Sequence, residues 1–133
     1  MIVDTSAIVA IWLNEPCAPE LSKLLLAEPH VTMSAATYVE LGAVLDSRLS
    51  PENRRRLDSL LESYGVEIVP LTPAQAKLAR TAYRDFGKGS GHAARLNLGD
   101  CFSYALASET GESLLFVGED FTKTDIIPAW QAP

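Results

Sequence analysis

Histidine and cysteine are nearly missing from this chain, with two of each in 133 residues. Cys17 and Cys101 lie far apart and form no CxxC unit, which argues against a structural zinc centre. They read as free thiols of a reducing compartment, buried or partly buried. Long apolar runs are missing too. Near the N-terminus the longest is Ala7 to Leu13, too short to span a bilayer, with no basic residue ahead of it to make a signal peptide. The expected compartment is the cytosol, with no membrane partner. Positive charge is scarce: 11 Lys and Arg against 17 Asp and Glu give a net charge of −6. That balance argues against a non-specific nucleic-acid coat but not against nucleic acid as a substrate, since bound divalent cations and a local basic patch would offset it. No repeat, low-complexity tract or long linker divides the chain, so residues 1–133 are expected to form one domain.

What is present is a soluble globular composition, 47% hydrophobic and 21% charged. Short apolar strands are expected at Met1 to Val3, His30 to Met33, Val66 to Val69 and Leu114 to Val117, and a last one at Ile126 and Ile127. Helices are expected between them. The first runs from Ser6 to Leu13 and is ended by Pro16; the second runs from Glu20 to Ala27. Ser34 starts a third helix that reaches Leu49, and Ser50-Pro51 opens a fourth that stops at Gly65. Thr72-Pro73-Ala74-Gln75 reads as a capping box for a fifth, reaching Phe86. A glycine-containing loop, Asp85 to Ala94, precedes a helix from Gly99 to Thr110. Apolar strands separated by helices indicate an α/β fold, a parallel sheet flanked by helices on both faces.

Three carboxylates stand where packing asks for an apolar side chain. Asp4 is the only charge in MIVDTSAIVAIWLN, Glu40 the only one in PHVTMSAATYVELGAVL, and Asp100 the only one in LNLGDCFSYALAS. Asp120 follows the apolar run SLLFVG. Isolated acids in apolar segments are costly unless paired, capping a helix or bound to a cation. No basic residue is spaced to pair with each of the four, whereas a shared divalent metal would explain them together. Asp4 and Asp120 follow strands, where ligands gather in open α/β sheets. Glu40 shares a helix stripe with Thr37 and Val44, and Asp100 lies in a first helical turn. Each acid also has an ordinary reading: a cap at Asp4, a dipole-favoured acid at Asp100, a solvated face at Glu40, a turn at Asp120.

The stretches MIVDTSAIVAIWLNEP, SAATYVELGAVL, LNLGDCFSYALA and LLFVGEDFTKTDI resemble, in that order and from end to end, the PIN-domain ribonucleases, and within them the VapC toxins of bacterial toxin–antitoxin pairs. The resemblance implies a PIN fold and an endoribonuclease dependent on Mg²⁺, with Mn²⁺ able to substitute. Its substrate would be tRNA or another structured RNA. A VapB-type antitoxin would block it, and homodimers would be expected. Asp4, Glu40, Asp100 and Asp120 match the family's acidic quartet, with Asp4 and Asp100 as direct metal ligands. Thr5, Ser6, Thr124 and Asp125 match supporting positions. Glu119 stands where relatives often have another polar residue, and Ala93 where they often have Pro.

Lys88, His92 and Arg95, in the loop leading to Asp100, are candidates for RNA phosphate contacts or for an ordinary polar loop. GKGSG does not have Walker A spacing. Arg54, Arg55 and Arg56 spread around a helix and read as a solvated face. Trp12, Leu21, Leu25 and Leu45 are either core or apolar contacts for the antitoxin. Two other functions compete. A PIN-like domain that only docks to a partner would be expected to have lost acids, and an aspartyl-phosphate receiver would need an acidic pair where this chain has Asp4-Thr5-Ser6.

Overall fold

The computed structural model describes residues 1–47 and 49–133. In chain order the elements are β1 (Ile2–Val3), α1 (Thr5–Trp12), α2 (Ala18–Ala27), β2 (Val31–Ser34), α3 (Ala35–Asp46), α4 (Pro51–Ser63), β3 (Val66–Val69), α5 (Pro73–Phe86), α6 (Leu98–Thr110) and β4 (Leu114–Leu115). The sheet is parallel throughout, in the order β3-β2-β1-β4. From β1 the chain steps outward to β2 and β3, then returns to place β4 on the other side of β1. The strand order therefore reverses between β1 and β4, the place where α/β sheets leave a crevice at their carboxyl ends.

Alternation along the short strands divides the core in two. Ile2 and its register partner Leu114 join one cluster with Ala79, Ala82, Tyr104 and Ala105, from α5 and α6. Val3 and its partner Leu115 join the other with Ile8, Leu21, Leu25, Leu41, Leu45, Leu57 and Leu61, from α1 to α4. Both faces of the sheet are thus covered at β1, β2 and β4, whose residues are all buried, while the edge strand β3 leaves Glu67 and Ile68 exposed. Leu21, Leu25 and Leu45 are at most 1% exposed. They belong to the core and are not surface contacts for a partner; Trp12 is half-buried against the same cluster.

Local signals explain most helix starts. The Ser34 and Ser50 hydroxyls accept hydrogen bonds from Ala36 N and Asn53 N. Thr72 accepts from Gln75 N at 3.1 Å, but the Gln75 side chain donates to Glu109 at 2.7 Å instead of returning to Thr72, so only half of the expected capping box forms. The helix expected to reach Leu49 ends at Asp46. The expected strand at Ile126 and Ile127 is a single parallel bridge between Leu114 and Pro128, in which Leu114 N donates to Ile127 O and Ala129 N donates to Leu114 O. Among the described residues, no helix is long and apolar enough to cross a membrane.

Candidate active site

Asp4 directly follows β1 and caps α1. Its Oδ2 accepts from Ser6 N at 3.0 Å and Ser6 Oγ at 2.7 Å, while Oδ1 accepts from Ser103 Oγ at 2.6 Å. Ser103 in turn shares a 3.2 Å hydrogen bond with Thr37 Oγ1. Asp4, Ser103 and Thr37 are all buried, so β1, α3 and α6 are joined by a continuous polar chain inside an apolar core. Ser6 Oγ also accepts from Val117 N at 3.0 Å, tying the segment after β4 to the same corner.

Asp100 is the third residue of α6 and half of a reciprocal capping box. Asn97 Oδ1 accepts from Asp100 N, and Asp100 Oδ2 accepts from Asn97 N, both at 2.9 Å. Burial pushes the Asp100 carboxyl up to about 7. The Asn97 N–H opposes that rise, while the negative charges of Asp4, Asp120 and Glu40 add to it. All four acids singled out from the sequence therefore share one electrostatic neighbourhood, and among the described residues no basic side chain lowers Asp100. Burial likewise raises Glu40, opposed by a hydrogen bond from the Thr5 hydroxyl and assisted by the charge of Asp4.

Glu40 reaches the site from α3 because α6 carries no side chain where the two helices meet. A β-carbon on Gly99 would coincide with the Glu40 carboxylate. Asp120 is exposed, beyond Gly118, whose φ of +106° is a conformation that favours glycine. Asp120 lines a cavity of about 330 Å³ together with Lys88, Ala93, Ala94, Arg95, Glu119 and Lys123. Of the two neighbouring acids, Asp120 acts on Asp100 while Glu119 sits on the cavity wall.

The remaining candidates fall into separate roles. Lys88 and Arg95 are on the cavity rim. His92 is not: its Nδ1 accepts from Ala94 N at 3.0 Å and its ring stands edge-on to Phe86 at 4.8 Å, so it organises the loop. Thr124 donates to Phe121 O at 2.7 Å and closes a local turn. Asp125 accepts from Tyr104 OH at 2.7 Å, linking that turn to α6. Sequence reasoning missed Ser103, Asn97 and Gly99, and placed Thr37 on the stripe of Glu40 without giving it a role. Ser103 was detectable in principle, since it follows Asp100 by three residues and so lies on the same helix face. Cys101 is buried, donates to Asn97 O and is pushed up to about 12 by burial and by Asp100, which leaves an inert thiol.

The donor set is entirely oxygen, which suits a hard divalent cation and not zinc or copper. Among the described residues, no three His, Cys, Asp or Glu side chains converge closely enough to enclose an ion by themselves. The arrangement therefore fits a cation that takes one or two carboxylates and completes its shell with water, as Mg²⁺ does.

The PIN domain family model matches residues 1–127. This chain belongs to the PIN-domain family and, within it, to the VapC ribonucleases. It is 56% identical to ribonuclease VapC42 of Mycobacterium tuberculosis over 129 residues, covering 97% of this chain and 98% of that protein. Ribonuclease VapC28 of the same organism is 50% identical, covering 95% of each chain. Ribonuclease VapC of Mycolicibacterium smegmatis is 48% identical, covering 95% of this chain and 97% of its own. The crystal structure of Mycobacterium tuberculosis VapC20, described as a Sarcin-Ricin loop cleaving toxin, superposes with a TM-score of 0.72 over 95% of both chains at 18% identity, a likeness of fold.

Proposed function

We propose that this VapC-family protein is a divalent-metal-dependent endoribonuclease, the toxin of a toxin–antitoxin pair. In this reading one domain, residues 1–133, carries the activity in the cytosol, and a VapB-type antitoxin restrains it. The observation that carries the proposal is the setting of Asp100: a carboxyl raised first by burial and further by the negative charges of Asp4, Asp120 and Glu40. Such repulsion is tolerated where an external cation relieves it.

Asp4 and Asp100 would hold Mg²⁺, or Mn²⁺ in its place, and Glu40 and Asp120 would act through its waters. When bound, the ion supplies a lowered water pKa and stabilises charge developing on a phosphodiester. The protein's own side chains orient this machinery. Ser6 and Ser103 fix the two oxygens of Asp4 by three hydrogen bonds. Asn97 holds Oδ2 of Asp100, Thr5 steadies Glu40, and Tyr104 anchors Asp125 and with it the turn after Asp120. Lys88, Arg95 and Lys123 on the cavity rim would neutralise phosphates flanking the scissile bond.

The substrate would be a structured RNA, tRNA being the expected kind. The antitoxin would cover the helices on the Val3 side of the sheet, where Leu26, Val39 and Val44 are exposed, and a homodimer is the expected assembly. The test is incubation of antitoxin-free protein with total bacterial RNA and Mg²⁺ or Mn²⁺. Discrete cuts are expected, lost in chelator and in Asp100→Asn. Identical patterns from the wild type and the variant would reject the proposal.

A further inference from the structure

The few cations of this acidic chain are unevenly placed. Residues 73–97 hold five of its 11 Lys and Arg (Lys77, Arg80, Arg84, Lys88 and Arg95) and one of its 17 acids, Asp85, a local charge of +4 in a chain of −6. On α5, Lys77, Arg80 and Arg84 recur at helical spacing on the exposed side, while Ala79 and Ala82 face the core. With Thr81 and the partly exposed Tyr83 they line a depression of about 560 Å³. Among the described residues Lys77 and Arg80 form no ion pair, and Arg84 pairs only with its neighbour Asp85 at 2.9 Å. By contrast, the arginine triplet of α4 is flanked by Glu52, Asp58 and Glu62 on the same helix, and Arg54 is paired to Asp46 at 3.8 Å.

The stripe leads toward the acid site. Beyond the end of α5 the chain continues to Lys88 and Arg95, which share a cavity with Asp120. Lys77 to Arg84 spans about 10 Å of helix, the axial length of roughly three phosphates on one strand of a duplex. We propose that the exposed face of α5 is a second RNA-binding surface, seating the backbone of a base-paired arm whose unpaired end enters the acid site. This rests on the ribonuclease reading for its ligand, and it adds a requirement for structure outside the cleaved segment. Charge alone would also attract an acidic protein segment; continuity with the cavity rim favours RNA.

The test compares wild type, the Lys77→Gln/Arg80→Gln/Arg84→Gln triple variant, and an Arg54→Gln/Arg55→Gln/Arg56→Gln triple variant that removes the same charge from α4. Binding of an RNA stem-loop is measured against salt in chelator, and cleavage of the stem-loop and of a short single strand with the same loop sequence is measured in Mg²⁺. The α5 variant should bind the stem-loop at least tenfold more weakly, with a log K against log salt slope shallower by about 2 to 3, and cleave the short strand at the wild-type rate. The α4 variant should match wild type. An unchanged slope in the α5 variant overturns the proposal, including where that variant loses antitoxin binding instead. Equal losses in both variants overturn it as a net-charge effect. If wild type cuts neither RNA, the nuclease reading fails while the slopes still decide this surface.

Discussion

The Glu40 carboxylate occupies the space that a β-carbon on Gly99 would fill. One helix thus omits a side chain so that another helix can deliver an acid. Alanine is a better helix former than glycine by up to ~1 kcal/mol, and the displaced group is the flexible end of a side chain. Gly99→Ala should therefore leave the melting temperature unchanged or slightly higher while lowering RNA cleavage at least tenfold. A thermal melt beside a cleavage assay separates the two effects; loss of both together would mean that Gly99 serves the fold and not the site.

Ser103 donates to Asp4 at 2.6 Å from a fully buried position. Ser103→Ala removes that donor and leaves Thr37 without its hydroxyl partner, at a cost of about 1–2 kcal/mol. Less firmly oriented, Asp4 should hold the cation more weakly. Severalfold more Mg²⁺ should be needed for half-maximal cleavage, which a metal titration of the rate would read.

A carboxyl raised to about 7 in the folded protein is protonated there more readily than in the unfolded chain. Its contribution to stability is complete below the ordinary carboxylate range, near 4, and is lost as pH rises through about 7. Glu40 is raised as well and adds in the same direction. In chelator, wild type should lose stability relative to Asp100→Asn between pH 5 and pH 8, by roughly 3 kcal/mol at most. Melting curves of both proteins at the two pH values test this; parallel behaviour would show that Asp100 does not carry the repulsion.

Asp120 contributes to the charge at Asp100, whereas Glu119 only lines the cavity that the two acids share. Asp120→Asn should lower cleavage by one to two orders of magnitude, and Glu119→Gln by less than threefold. Single-turnover rates at saturating Mg²⁺ make the comparison.

Features that depend on one segment at a time were legible in the sequence. Ser34, Ser50 and Thr72 announced their helices through local hydrogen bonds, and apolar strands between helices announced a parallel sheet. Asp4, Glu40 and Asp100 stood out because each is the lone charge in an apolar run. What was not legible depends on two segments meeting. The contact of Gly99 with Glu40 and the Asp4–Ser103–Thr37 chain exist only once α3, α6 and β1 are packed together. Leu21, Leu25 and Leu45 show the same limit, because helical spacing alone does not distinguish a core face from a docking face. At Ile126 and Ile127 the β-branched pair suggested a strand, and the pairing that forms is a single bridge centred on Pro128.

The most direct test of the acid site is a calorimetric titration of Mn²⁺ into antitoxin-free protein at pH 6 and pH 8, beside Asp100→Asn. The expected result is one or two bound ions, held more tightly at pH 8, where Asp100 has lost its proton, and binding at least tenfold weaker in the variant at pH 8. Equal binding by wild type and Asp100→Asn at both pH values would contradict a cation site built on these carboxylates.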